Sequence, residues 1–225
     1  MKNLALLGLL VAAVGANAFT YTEHDGVSEN SVGLTAGGNL AWMMAFQVTG
    51  GNNVITAIRT SFGSPSFPGS SGVAPGTPFR VHVWTLNSPT GDMAAGVNLL
   101  GSWNGTVAAG SIDTDVLQSV AVNATVGANG TWFAIGADVN HAAGGFPAPL
   151  DQTAPLSNNS WVAGSGTAGG FDPNNIGGGI GLFRMSALGL PGDWLLEAEG
   201  VVSEPGTIAV IGLGLAALAA RRRRK

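Results

Sequence analysis

The chain has 225 residues, with 36 glycines, 11 prolines, no cysteine and a formal charge of −4. Six of its nine cations are Lys2 and the last five residues, so residues 19–203 set three arginines against twelve carboxylates, a net of −9. Nucleic acid is thereby excluded, because neutralising phosphates needs Lys and Arg; the missing cysteines exclude disulfides, thiol catalysis and cysteine-held metals.

The N-terminus reads as a signal peptide over residues 1–18. Lys2 supplies the positive start, residues 4–14 the apolar stretch, and Ala16-Asn17-Ala18 a small-x-small cleavage site. The mature chain is therefore expected to begin at Phe19, after passage through the Sec export machinery and signal peptidase.

Residues 19–202 have the composition of short strands joined by tight turns, rich in Gly, Asn, Ser and Thr and poor in Lys and Glu. A short strand is expected near 19–22. The apolar run 39–48 has strand length, and the glycine pairs on either side favour a buried strand over a helix. Residues 53–61 alternate. Residues 63–78 hold four prolines and read as a long loop. The clearest alternation is 79–86, with Phe79, Val81, Val83 and Thr85 on one face and Arg80, His82, Trp84 and Leu86 on the other. Residues 93–100 form a helical turn or lead into a strand at 99–107. Strands follow at 116–122 and 131–139. The proline-bearing stretch 140–160 reads as loop, 161–163 as a short strand, and 164–181 as a Gly/Asn-rich excursion. The last strands are expected at 181–188 and 194–202. Eight to ten strands without a long amphipathic helix make an all-β fold, an antiparallel β-sandwich of jelly-roll or Greek-key type. A further resemblance agrees: Trp132 to Asp151, continuing into Ser160-Trp161-Val162-Ala163, looks like a passage in exported bacterial β-sandwich domains, and it implies no activity.

Four candidate chemistries follow. The histidines His24, His82 and His141 come from distant segments without metal-ligand spacing. Asp113 with Asp115, and Glu197 with Glu199, alternate so that each pair shares one strand face, the first requirement of a glycan-active hydrolase. Asp113, Asp115 and Asp172 are the candidate calcium ligands, with the run Asp172-Pro173-Asn174-Asn175 offering more oxygens; no other cofactor is expected. Trp103 with Asn104, and Trp161 with its flanking asparagines, are candidate glycan contacts if their rings are exposed, as in a carbohydrate-binding module. Tryptophans in a cysteine-free sandwich more often belong to the core.

The C-terminus carries the clearest signal. Ser203-Glu204-Pro205-Gly206 leads into the uncharged run 207–220 and then Arg221, Arg222, Arg223, Arg224 and Lys225. As a helix the run would reach about 21 Å, against roughly 30 Å of hydrocarbon. The basic end should stay cytoplasmic and leave everything upstream outside. This order of motif, short span and arginines resembles the PEP-CTERM sorting domain, with Ser203 standing in place of the first proline. The resemblance implies recognition and processing at Glu204-Pro205 by an exosortase, a membrane-embedded protease. It further implies a transmembrane helix over 207–220 in the cytoplasmic membrane, transient or anchored. The destination would be the cell surface or extracellular matrix of a Gram-negative bacterium, in association with exopolysaccharide or biofilm. The expectation is a non-enzymatic surface protein in three parts, at 1–18, 19–202 and 203–225.

Overall fold

The computed structural model describes residues 18–153 and 155–202. The residues through Asn17 expected to belong to a signal peptide, and the tail with Glu204, Pro205, the expected transmembrane helix 207–220 and the basic cluster, lie outside that range. Thirteen strands follow in chain order: β1 (Phe19–Tyr21), β2 (Asn30–Val32), β3 (Gly38–Gln47), β4 (Val54–Thr60), β5 (Pro78–Leu86), β6 (Val97–Thr106), β7 (Gln118–Thr125), β8 (Trp132–His141), β9 (Ala148–Asp151), β10 (Ser160–Ser165), β11 (Leu182–Arg184), β12 (Asp193–Trp194) and β13 (Leu196–Val201). Three short 3₁₀ turns, the first at Met93–Ala95, are the helical content of the described residues, and among those residues no helix is long and apolar enough to cross a membrane.

The strands form a four-stranded sheet in the order β1-β13-β4-β7, a six-stranded sheet β11-β10-β3-β8-β5-β6, and a small sheet β12-β9-β2. All paired strands are antiparallel. The two larger sheets close on one inner core. Ile55 and Ile58 of β4, Val120 and Val122 of β7 and Leu196 of β13 meet Trp42 and Met44 of β3, Val81 and Val83 of β5, and Phe133 and Ile135 of β8. This is a sandwich.

A second cluster explains why 39–48 does not alternate. Ala41, Met43, Trp84, Ala134 and Trp161 leave the outer face of the six-stranded sheet and pack beneath Met93, Phe171 and Ile176. Both faces of β3 are therefore covered, and a strand buried on both faces reads as a continuous apolar run. In β7, buried Val120, Val122 and Ala124 alternate with exposed residues, the pattern of a strand with one wet face.

Two short strands fell below sequence detection. β9 lies inside the stretch expected to be loop and contains Pro149, a residue that normally demotes a strand to an edge. Here β9 is central, pairing with β2 on one side and β12 on the other. Pro149 accepts through its carbonyl from Leu195 N at 3.2 Å. β2 has only three residues, too few to show a period.

Candidate functional site

β5, β8, β3 and β6 bring five polar side chains together on the outer face of the six-stranded sheet. Alternation along β5 sends Arg80 and His82 to that face, and register places Arg80 opposite Asp138 of β8 and His82 opposite Ser102 of β6. Asn39 of β3 completes the group.

The position of Ser102 depends on a bulge. Along β6, Val97 and Leu99 pair with Leu86 and Trp84 and pack on the outer cluster. The register then shifts across Leu100, so that Gly101 faces Val83 and Ser102 faces His82. One extra residue reverses the phase of everything after it. Without it, Ser102 would point into the inner core. After the bulge, the Trp103 ring turns inward and folds back over Gly101, where an added Cβ would come within 2.5 Å of it.

Asp138 is the centre of the network. Its Oδ1 accepts from His82 Nε2 at 2.6 Å and Arg80 Nε at 2.9 Å; its Oδ2 accepts from Asn39 Nδ2 at 2.8 Å and Arg80 Nη2 at 3.1 Å. Burial to 3 % exposure would by itself raise its pKa. The hydrogen bonds from His82, Arg80 and Asn39 outweigh that and hold the carboxyl below the usual carboxylate range. Asp138 is thus ionised and can only accept. His82, with 0 % exposure, is held neutral, its pKa lowered chiefly by burial. A neutral imidazole has one N–H, and Asp138 requires it on Nε2. Nδ1 is left as the acceptor for the Ser102 hydroxyl at 2.7 Å. The order is hydroxyl, imidazole, carboxylate.

The same network holds down the excursion between β10 and β11. Phe171 donates its N–H to Asn39 Oδ1 at 3.0 Å and accepts from Arg80 Nη2 at 3.0 Å, while Trp84 Nε1 donates to Pro173 O at 2.8 Å. Phe171 and Trp84 flank the imidazole, with ring centroids 5.8 and 5.2 Å away.

The other expected site residues are placed elsewhere. Asp113 and Asp115 do not share a strand face; they sit in the loop before β7. Asp113 accepts from Gly69 N and Ser71 N and so fixes the proline-rich loop. Asp115 accepts from Ser28 N and its hydroxyl. Asp172 closes a turn through Asn174 N. Among the described residues no three Asp, Glu or His side chains converge as a cation would require, so these three aspartates form no common calcium site. Glu197 and Glu199 do share a face of β13, where both pair with Arg59. Trp161 is 4 % exposed, in the outer cluster, with the Arg184 guanidinium 4.5 Å over its ring. That corrects the expectation of an open aromatic platform there. Trp103 and Asn104, being successive strand residues, point to opposite faces and cannot form one contact.

Both remaining histidines are also held neutral by burial. His141 donates from Nδ1 to Ala142 O at 2.9 Å and accepts from Leu34 N at Nε2. The His24 side chain is 2 % exposed, and its nearest carboxylate oxygen, on Glu197, is 3.6 Å away, beyond hydrogen-bond reach. For all three imidazoles the folded pKa lies below the unfolded value. As pH falls below about 6.5, the unfolded chain takes up protons first and stability is lost. Glu23 and Asp151, raised by burial, act in the opposite sense at lower pH, in the carboxylate range. The thermal midpoint should therefore drop between pH 7.5 and pH 5; a flat midpoint over that interval contradicts the buried neutral assignment.

Among known proteins, the family model described as the PEP-CTERM protein-sorting motif matches residues 201–224. Comparison with curated proteins gives no match. Of the solved structures, the clostridial cysteine protease Cwp84 after propeptide cleavage is similar with a TM-score of 0.50 and 9 % identity, over 83 % of this chain and 40 % of that one. A structure of the cysteine protease and lectin-like domains of Cwp84, a surface layer associated protein of Clostridium difficile, gives a TM-score of 0.42 and 11 % identity over 73 % and 32 % of the two chains. This chain thus spans less than half the length of either. The likeness to the first is one of fold alone.

Proposed function

From a chain whose residues 201–224 carry the PEP-CTERM protein-sorting motif, we propose an exported surface protein that an exosortase processes at Glu204-Pro205. The domain ahead of the motif serves as a non-enzymatic component of a Gram-negative cell surface or its exopolysaccharide matrix. The motif match carries this reading. The fold supports it in one respect: β13 ends at Val201, where the motif begins, and Phe19 of β1 pairs with Gly200. The two ends of the domain therefore leave from adjacent strands, and signal-peptide removal and tail processing act at one edge of a closed sandwich. Ala198–Gly200 of β13 lie between β1 and β4, and Val201 pairs with Val54 of β4, so the last paired residue of the sandwich is also the first residue of the motif.

Mass spectrometry of both termini of the protein from producing cells tests this. Ends at Phe19 and close to Glu204 are expected, and Pro205→Ala should leave the tail attached and the protein in the membrane fraction. An unprocessed Lys225 terminus on surface protein from unmutated cells would sink the processing claim.

A further inference from the structure

We propose that Ser102 is a nucleophilic serine, activated by His82 and Asp138, that takes an acyl group from activated carboxylic esters reaching it from solvent. Three independent features support the assignment. The hydrogen bonds run from Ser102 Oγ to His82 Nδ1 at 2.7 Å and from His82 Nε2 to Asp138 Oδ1 at 2.6 Å, distances at which a base can take the hydroxyl proton. The base is fully buried and the serine exposed, so the imidazole keeps its proton acceptor away from water while the nucleophile faces the donor. Lastly, the β6 bulge turns Ser102 to the His82 side; bulges are over-represented beside active sites, where they re-aim a side chain.

The ring is used in the reverse sense from the serine-protease template, with Nδ1 toward the serine and Nε2 toward the acid. Either nitrogen performs the transfer, because a neutral imidazole has one acceptor and one donor. In the step, Ser102 Oγ attacks the ester carbonyl carbon and its proton passes to His82 Nδ1. That attack forms the new C–O bond and gives a tetrahedral adduct, which then collapses. The bond to the leaving alkoxide breaks, and His82 returns the proton to it. The products are an O-acyl serine and one alcohol, with no change of oxidation state. Asp138 stays ionised throughout and stabilises the transient imidazolium. Arg80 draws on the same carboxylate and moderates the basicity of His82. That fits a residue acylated once rather than one that turns over rapidly, and it leaves the surface role above unchanged.

The test uses the purified full chain with p-nitrophenyl acetate and, separately, a fluorophosphonate. One adduct per chain is expected, mapped to the peptide holding Ser102 and formed at least about 100-fold faster than at any other serine, the range a positioned general base supplies. Ser102→Ala, at an exposed position, should keep the wild-type circular dichroism spectrum and lose the adduct. Because His82 and Asp138 variants risk misfolding, a second measurement stands apart from them. Ser102→Cys should react with iodoacetamide at pH 7 about 10-fold faster than Ser119→Cys on the exposed face of β7, since a thiol beside an imidazole ionises more readily. Absence of an adduct at Ser102, adducts spread evenly over the serines, or equal alkylation of the two cysteines would each overturn the proposal.

Discussion

Asp138→Ala is expected to lower the free energy of unfolding by about 3–5 kcal/mol, the cost of removing one partner from a buried charged network. The carboxylate accepts four hydrogen bonds. Its loss strands the side chains of His82 and Asn39, both fully buried, without their acceptor. Arg80 keeps access to water, which places the expected value toward the lower end. Asp138→Asn should do little better, because an amide presents two donors to a pocket already filled with donors. The damage should also spread to a particular segment. Phe171 is anchored through Asn39 and Arg80, so limited proteolysis should open the chain between β10 and β11 in either variant before it cuts elsewhere. Urea titration measures the first effect and peptide mapping the second. A loss below about 1 kcal/mol would mean that the network is dispensable to the fold.

Trp194→Ala should cost a similar amount, about 3–5 kcal/mol, through the cavity left by a large side chain that cannot be refilled. Trp194 is fully buried in the inner core. It stands on β12, the strand that joins the small sheet to the sandwich, paired with Leu150 of β9. Its Nε1 donates to Trp161 O at 2.9 Å. Trp194→Phe keeps most of the volume and loses that bond, so about 1–2 kcal/mol is expected, the cost of one unmet buried partner. Equal losses for the two variants would place the whole effect in the hydrogen bond and none in packing.

Much of the architecture can be read from residue order. The alternation of Phe79, Val81 and Val83 against Arg80, His82 and Trp84 predicts the two faces of β5, and both clusters agree with it. The glycine pairs around 39–48 identify a strand where hydrophobicity alone would allow a helix. Pro149 misleads, because its local preference is overridden by two partner strands. The aspartates at 113 and 115 mislead in another way: their spacing matches a strand, while a positive φ of 51° at Asp113 puts them in a turn. Trp103 and Trp161 carry the right chemistry for sugar contacts, but the packing that turns the first inward and covers the second on the outer face involves residues far apart in the chain.

Residue order alone carries the sorting motif at 201–224, because such a signal is short and contiguous. It also determines that the domain is all-β, since turn chemistry and strand periodicity are local. The polar centre is different in kind. Asn39, Arg80, His82, Ser102 and Asp138 carry no motif, and they meet only because four strands from separate parts of the chain lie side by side in one register. A single bulged residue, Leu100, decides whether Ser102 sees an imidazole or the apolar core. Register is a property of paired strands, so only the tertiary structure could settle it.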